Sequence, residues 1–210
     1  MVRSMKSVPT TLGVRQRAKE ASREALLRAG MVLFGAQGVD GPSLDEICAA
    51  AGYTRGAFYV HFTDREQFLE EVLGRVLEGY VATIVQTGAP GDLEATILAF
   101  FSAFSVEDGE PDPLSPAGAS HHLRLLLDGC RRSPAVQERF AAGFEVATGA
   151  LEGVIRTGQA AGTVRPDLGA ETAARLLITL VLGLLAVRQT GVPFDGAAAV
   201  RELVTLIGRG

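Results

Sequence analysis

Cysteine is scarce: only two of the 210 residues are Cys. Cys48 and Cys130 fall in different predicted regions, which argues against a disulfide framework and suits a reducing cytoplasm. The opening residues, MVRSMKSVPTTLGVRQR, lack an apolar centre, so no secretory signal is expected. The most apolar run, LLITLVLGLLAV from Leu176 to Val187, falls short of the roughly 20 residues that cross a bilayer. It reads as a buried helix, and no membrane partner is expected. Strand-like alternation, internal repeats and coiled-coil heptads are also missing. So are a glycine-rich phosphate loop, a nucleophile elbow and an HExxH pair; nothing asks to be called catalytic, and no cofactor is expected. His121 and His122 are neighbours, about 100° apart on a helix, not an i, i+4 metal pair.

Apolar residues, by contrast, make up 47% of the chain, enough for a substantial core. The net charge of −4 gives no hint of a nucleic-acid partner, but its distribution does. Arg3, Lys6, Arg15, Arg17, Lys19, Arg23 and Arg28 face only Glu20 and Glu24 within residues 1–35. Residues 71–210 carry a net negative charge and no Lys. A basic amino-terminal segment on an acidic body is expected where one end meets DNA; a solvated basic tail is the plain alternative.

The pattern predicts an all-α chain of about nine helices. Residues 1–17 read as a flexible basic segment, 18–80 as one domain and 81–210 as a second helical domain. A first helix is expected over Ala18–Ala36, with Ala25, Leu26, Ala29, Val32 and Leu33 inward. Thr63 and Glu66 are spaced for a capping box opening a long helix that closes near Gly88, Pro90 and Gly91. A helix over about Asp92–Phe104 precedes an acidic loop, Ser105–Gly118, interrupted by prolines. Helices are then expected over Ala119–Arg132, Pro134–Ala161, Leu168–Gln189 and Gly196–Ile207.

Residues 43–62, SLDEICAAAGYTRGAFYVHF, carry most of the information. Ser43 and Glu46 have capping-box spacing, and Gly52 sits where a helix end favours a left-handed residue. Thr54 caps a second helix, which Phe58 and Phe62 anchor from beneath. Two short helices joined tightly are the layout of a helix-turn-helix, whose second helix enters the DNA major groove. Thr54, Arg55, Gly56, Tyr59 and His61 are left for the outer face, and the small Gly56 and Ala57 permit close backbone approach. An ordinary polar surface is the competing reading for Arg55, Tyr59 and His61.

The run from ALLRAGMVLFGAQG through SLDEICAAAGYTRGAFYVHF to TDREQFLEEVL resembles the amino-terminal domain of the tetracycline-repressor (TetR) family. The resemblance implies base contacts for Thr54 and Arg55, and phosphate contacts for Ser43, Tyr59, His61 and Arg65. The family usually has Lys in place of Arg65. It further implies a homodimer that binds double-stranded DNA at a palindromic operator and responds to a small-molecule effector. The expected regulator is cytoplasmic and most simply a repressor. Phe100, Phe101, Phe104, Phe140 and Phe144 read as core residues, but in the family core and pocket overlap. Phe100, Phe104, His121, His122 and Phe144 are therefore the candidate ligand residues. Leu168–Gln189 is apolar nearly all round and must be covered. With the last helix it implies a dimer interface at Leu176, Leu180, Gly183, Leu184, Val187, Val200, Leu203 and Ile207; a monomer core is the competing reading. Cys130 beside Arg131 and Arg132 suits a redox thiol or a structural one. Two rivals remain: a DNA-organising or division-linked protein of the same fold without a ligand switch, and a helical enzyme or carrier with an incidental motif.

Overall fold

The first helix, α1 (Thr11–Gln37), begins at Thr11 and not at Ala18. No proline separates Thr11 from the apolar stripe, and a helix already nucleated extends at little cost, even past Gly13 near its end. The computed structural model describes residues 11–87, 92–103, 123–193 and 195–207. The acidic segment expected as a loop, residues 105–118, lies outside them. Among the described residues there are nine α-helices, as the pattern predicts. The chain divides into two compact units, residues 1–69 and 70–210, earlier than the boundary expected at residue 80.

In the first unit α1 packs against α2 (Leu44–Ala51) and α3 (Arg55–Tyr59). Its buried stripe is Leu26, Leu27, Ala29, Met31 and Phe34. Ala25, Val32 and Leu33, expected inward, instead line a shallow surface groove beside Ala50 and Ala51. The larger residues beside them in the chain, Leu26, Met31 and Phe34, take the core because they bury more apolar area. α2 is closed at both ends as the sequence specifies. Ser43 Oγ accepts from Glu46 N at 3.2 Å, and the Glu46 carboxylate accepts from Ser43 N at 2.7 Å. Gly52 turns the chain at φ +75°, its N–H donating to the Ala49 carbonyl. Thr54 Oγ1 then accepts from Ala57 N at 3.4 Å to open α3.

α4 (Arg65–Thr87) is capped by Asp64, not Thr63. Asp64 Oδ1 accepts from Gln67 N at 2.8 Å, and Gln67 Oε1 accepts from Thr63 N at 2.7 Å. The partner expected at Glu66 is therefore Gln67. A carboxylate at the helix start also interacts favourably with the helix dipole, which favours Asp64 over the neighbouring hydroxyl.

The second unit comprises the remainder of α4, α5 (Leu93–Ala103), α6 (Leu123–Arg132), α7 (Pro134–Ala161), α8 (Ala170–Gln189) and α9 (Gly196–Ile207). α7 packs on α6 and α8, while α9 packs on α5. Ser133 caps α7, accepting from Val136 N at 3.3 Å and donating to Glu70 Oε1 at 2.5 Å. Gly129 of α6 meets Leu73 so closely that a Cβ there would collide with it. By length and composition alone, one helix among the described residues could cross a membrane, α8 over Ala170–Val187, of mean hydropathy 1.8. Yet Arg175 within it is bonded to Glu145 and Glu171, and Ala174, Leu177, Val181 and Leu185 are buried inside the unit. That is the make-up of a core helix.

Replacing a good N-cap costs about 1 kcal/mol. Asp64→Ala is therefore expected to lower unfolding stability in urea by about that amount, and Thr63→Ala by clearly less. Equal losses would show that the two residues share the cap.

Candidate nucleic-acid interface

The five residues of α3 are too few to hold a helix unaided. Four phenylalanines hold it. Phe58 stacks edge-on against Phe68 at 5.2 Å and lies 5.1 Å from Phe62; Phe62 meets Phe68 at 4.8 Å, and Phe34 closes the group at 6.0 Å. All four rings are almost wholly buried. With Phe58 fixed, its neighbours on α3 must face outward. Thr54, Arg55 and Gly56 are exposed, Ala57 is half-buried, and Tyr59 is 56% exposed. The structure thus brings Thr54, Arg55, Gly56 and Tyr59 onto one face, with Tyr53 and Val60 exposed at its edges. Sequence reasoning passed over Tyr53 and Val60; their place beside the cap and at the helix end was the available signal.

Arg55 Nε lies 3.0 Å from Asp45 of α2, with both side chains largely in solvent. An exposed pair of this kind contributes at most about 1 kcal/mol, so Arg55 can leave it for a stronger anion. Ser43 is exposed, but its hydroxyl and amide are engaged with Glu46, whose carboxyl group these bonds hold below the ordinary value.

Arg65 and His61 are placed differently. Arg65 Nη2 donates to the carbonyls of Val39 at 2.8 Å and Pro42 at 3.1 Å, and its guanidinium lies over the Phe34 ring at 5.2 Å. It pins the α1–α2 turn from below. A lysine has no planar fork with which to hold two carbonyls in this way. His61 Nε2 lies 2.8 Å from Ser22 Oγ of α1, which itself donates to the Lys19 carbonyl at 2.8 Å. Ser22 has one hydroxyl proton, so His61 Nε2 carries the hydrogen and donates. Burial holds the imidazole pKa below its usual 6.5, and the charges of Lys19 and Arg23 act in the same direction. Around them Arg15, Arg17 and Lys19 stand exposed on the first turns of α1.

In the second unit a cavity of about 60 Å³ lies among α4 to α8. α4 contributes Leu77, Tyr80, Val81 and Ile84; α7 contributes Phe140, Gly143 and Phe144. Thr96 and Ile97 of α5, Leu126 of α6, and Leu177 and Val181 of α8 close it. Of the candidate ligand residues, Phe144 is placed on this wall. Phe104, His121, His122 and the side chain of Phe100 lie outside the described residues. The α4 and α8 members went unnamed because their spacing reads equally as core. Burial pushes the Tyr80 phenol well up, so it stays protonated. Burial likewise raises the Cys130 thiol above its ordinary value.

The expected interface residues separate into two groups. Leu176, Leu180, Gly183 and Val187, at i, i+4, i+7 and i+11, form an exposed stripe on α8, with Leu176 65% exposed. Leu184 and Val200 are buried within their own unit, Leu203 is half-buried, and the Ile207 side chain is outside the described residues. The near-uniform apolarity of α8 hid this division. On α7, Ala142, Val146, Gly149 and Gly153 are exposed as well, a face that sequence reasoning did not assign to an interface.

Residues 26–72 match the family model for bacterial regulatory proteins of the tetR family. The transcriptional repressor BepR of Brucella suis is 26% identical over 173 residues, covering 78% of each chain. The crystal structure of a TetR-family regulator from Cytophaga hutchinsonii has the same fold, with TM-score 0.74 and 19% identity over 92% of this chain and 98% of that one. SmeT in complex with triclosan matches with TM-score 0.61 and 27% identity, over 88% and 83% of the two chains. SmeT is the repressor of a Stenotrophomonas maltophilia multidrug efflux pump. The amino-terminal domain is that of the tetR family, which places this chain among DNA-binding transcriptional regulators.

Because His61 has a lowered pKa in the folded protein, the unfolded chain binds that proton more readily. Its contribution to stability is full above about pH 6.5 and is lost as pH falls through the folded pKa. His61→Gln is expected to flatten the fall in urea stability between about pH 7 and about pH 5 relative to wild type. An unaltered slope would place that proton elsewhere.

Proposed function

We propose that this protein is a homodimeric, ligand-responsive transcriptional repressor that acts in the cytoplasm. It binds a palindromic operator through α3 and is released by a small apolar molecule held in the second unit. The observation that carries the DNA half is the outward display of Thr54, Arg55, Gly56 and Tyr59 by a helix whose other side is locked by Phe58. Thr54 and Arg55 read base edges; Tyr59 contacts phosphate with the exposed cations of α1. Ser43 and Ala57 stand beside the backbone. His61 and Arg65 touch phosphate only as a second task, since both hold the turn geometry.

Dimerisation joins the exposed faces of α7 and α8. The exposed stripe of α8 includes Gly183, and the exposed face of α7 includes Gly149 and Gly153, so that two helix pairs can approach closely. Two-fold symmetry then presents two α3 helices to half-sites about one helical turn, or a multiple of it, apart. The apolar cavity supports the effector half, as does the triclosan bound to SmeT. Ligand pockets usually measure about 300–1,000 Å³, so this cavity must widen to take one. A ligand that releases the operator binds the widened state better, and shifting the protein from almost all bound to almost all free takes about 5.5 kcal/mol of such preference.

Arg55→Ala with Tyr59→Ala is expected to abolish specific operator binding in a gel-shift assay while helical circular dichroism is unchanged. Wild-type affinity should fall steeply with added salt. Specific binding that survives the double change would assign recognition to another face. Leu176→Glu with Leu180→Glu is expected to yield monomers in sedimentation at micromolar concentration; a dimer that persists would move the interface away from α8. A protein of the same fold that organises DNA would occupy many dispersed genomic sites, whereas the regulator occupies one or a few.

A further inference from the structure

We infer that the effector enters the second unit through the seam between α4 and α7, as an apolar tail with one anionic head that rests on Arg139. This builds on the reading of the cavity as the effector site. The described lining of the cavity contains no charged side chain, and its polar atoms are the hydroxyls of Tyr80 and Thr96. Thr96 Oγ1 is already bonded to the Asp92 carbonyl at 2.7 Å. A charged group drawn inside would lose its hydration without a partner, so a charge on the ligand must stay at the rim.

The rim is thin at one place. Leu77, Val81 and Gly143 line the cavity and also the groove outside it. A Cβ on Gly143 would lie 3.1 Å from Val81 Cγ2 and 3.2 Å from Leu77 Cδ1, so these side chains close the gap that the glycine leaves. The wall is one side chain thick, and rotating Leu77 and Val81 opens it. The small volume inside points the same way, because a tail that enters must part these residues to find room. In the groove outside, the Arg139 guanidinium lies across Gly74, where a Cβ would sit 2.5 Å from Nη1. Glu78 lines the same groove, yet among the described residues Arg139 enters no ion pair. An unpaired fork beside an apolar opening suits a carboxylate head with its tail turned inward.

Decanoate and 1-decanol, titrated calorimetrically into the full-length protein, separate head from tail. Decanoate is expected to bind, and Arg139→Gln to weaken it about tenfold while leaving decanol unchanged. Arg139 is exposed, so this variant should fold. In a Cys130→Ser background, Val81→Cys with Gly143→Cys should form a disulfide that slows association of both probes at least about tenfold, with recovery on reduction. Equal association rates in the oxidised and reduced protein would overturn the seam. An Arg139→Gln effect that is absent, or the same for both probes, would overturn the head. Binding of decanol without decanoate would overturn the anionic class and leave the cavity reading standing; binding of neither would overturn that reading as well.

Discussion

The aromatic cluster of Phe34, Phe58, Phe62 and Phe68 is the constraint on which the recognition surface depends. A helix of five residues has too few internal hydrogen bonds to offset the entropy of fixing its backbone. Burying one phenylalanine side chain contributes roughly 2–3 kcal/mol, so Phe58 and Phe62 together exceed what an isolated turn could supply. Once Phe58 is held, the direction of Tyr59 follows, since adjacent helical residues diverge by about 100°. The face offered to a partner is the reverse side of a packed core, not a feature of α3 alone. Arg65 and His61 reinforce that core from its perimeter, one through the carbonyls of Val39 and Pro42 and the other through Ser22.

Local chemistry was legible in the sequence wherever a few adjacent residues decide the outcome. Ser43 with Glu46, Gly52 and Thr54 define the ends of α2 and α3, and the structure places each in the expected role. The bounds of α7 were equally plain, because Pro134 follows the capping Ser133 and Gly162 follows the last turn. The cap of α4 shows the limit of this kind of reading. Thr63 and Asp64 are both good caps with an acceptable partner three residues on, and only the hydrogen bonds distinguish them.

Properties that depend on distant residues were not legible. Nothing near Arg65 in the chain reveals that the carbonyls of Val39 and Pro42 lie within its reach, so its bracing of the turn could not be read from the sequence. His61 reads as a surface histidine until Ser22 comes into contact from α1. The seam between α4 and α7 is invisible for the same reason: Gly74 and Gly143 are unremarkable glycines until Arg139 lies over one, and Leu77 and Val81 fill the space beside the other.

α8 gives this dependence on distance its functional form. Its sequence is apolar on nearly every side, yet the fold assigns those sides to different tasks. Leu177, Ile178 and Val181 line the cavity, while Leu176 and Leu180, each next to one of them in the chain, are exposed. Only the width of one helix therefore separates the wall of the cavity from the stripe proposed for the partner subunit. Close-packed interiors do not absorb added volume without displacing their walls. Filling a cavity of only about 60 Å³ must move something, and α8 is among the elements in direct contact with it. Such a movement alters an assembly only if the ligand favours one arrangement of α8 over another, since a ligand that binds both equally shifts neither. The small size of the cavity makes that preference physically reasonable: the closed arrangement has no room for the ligand.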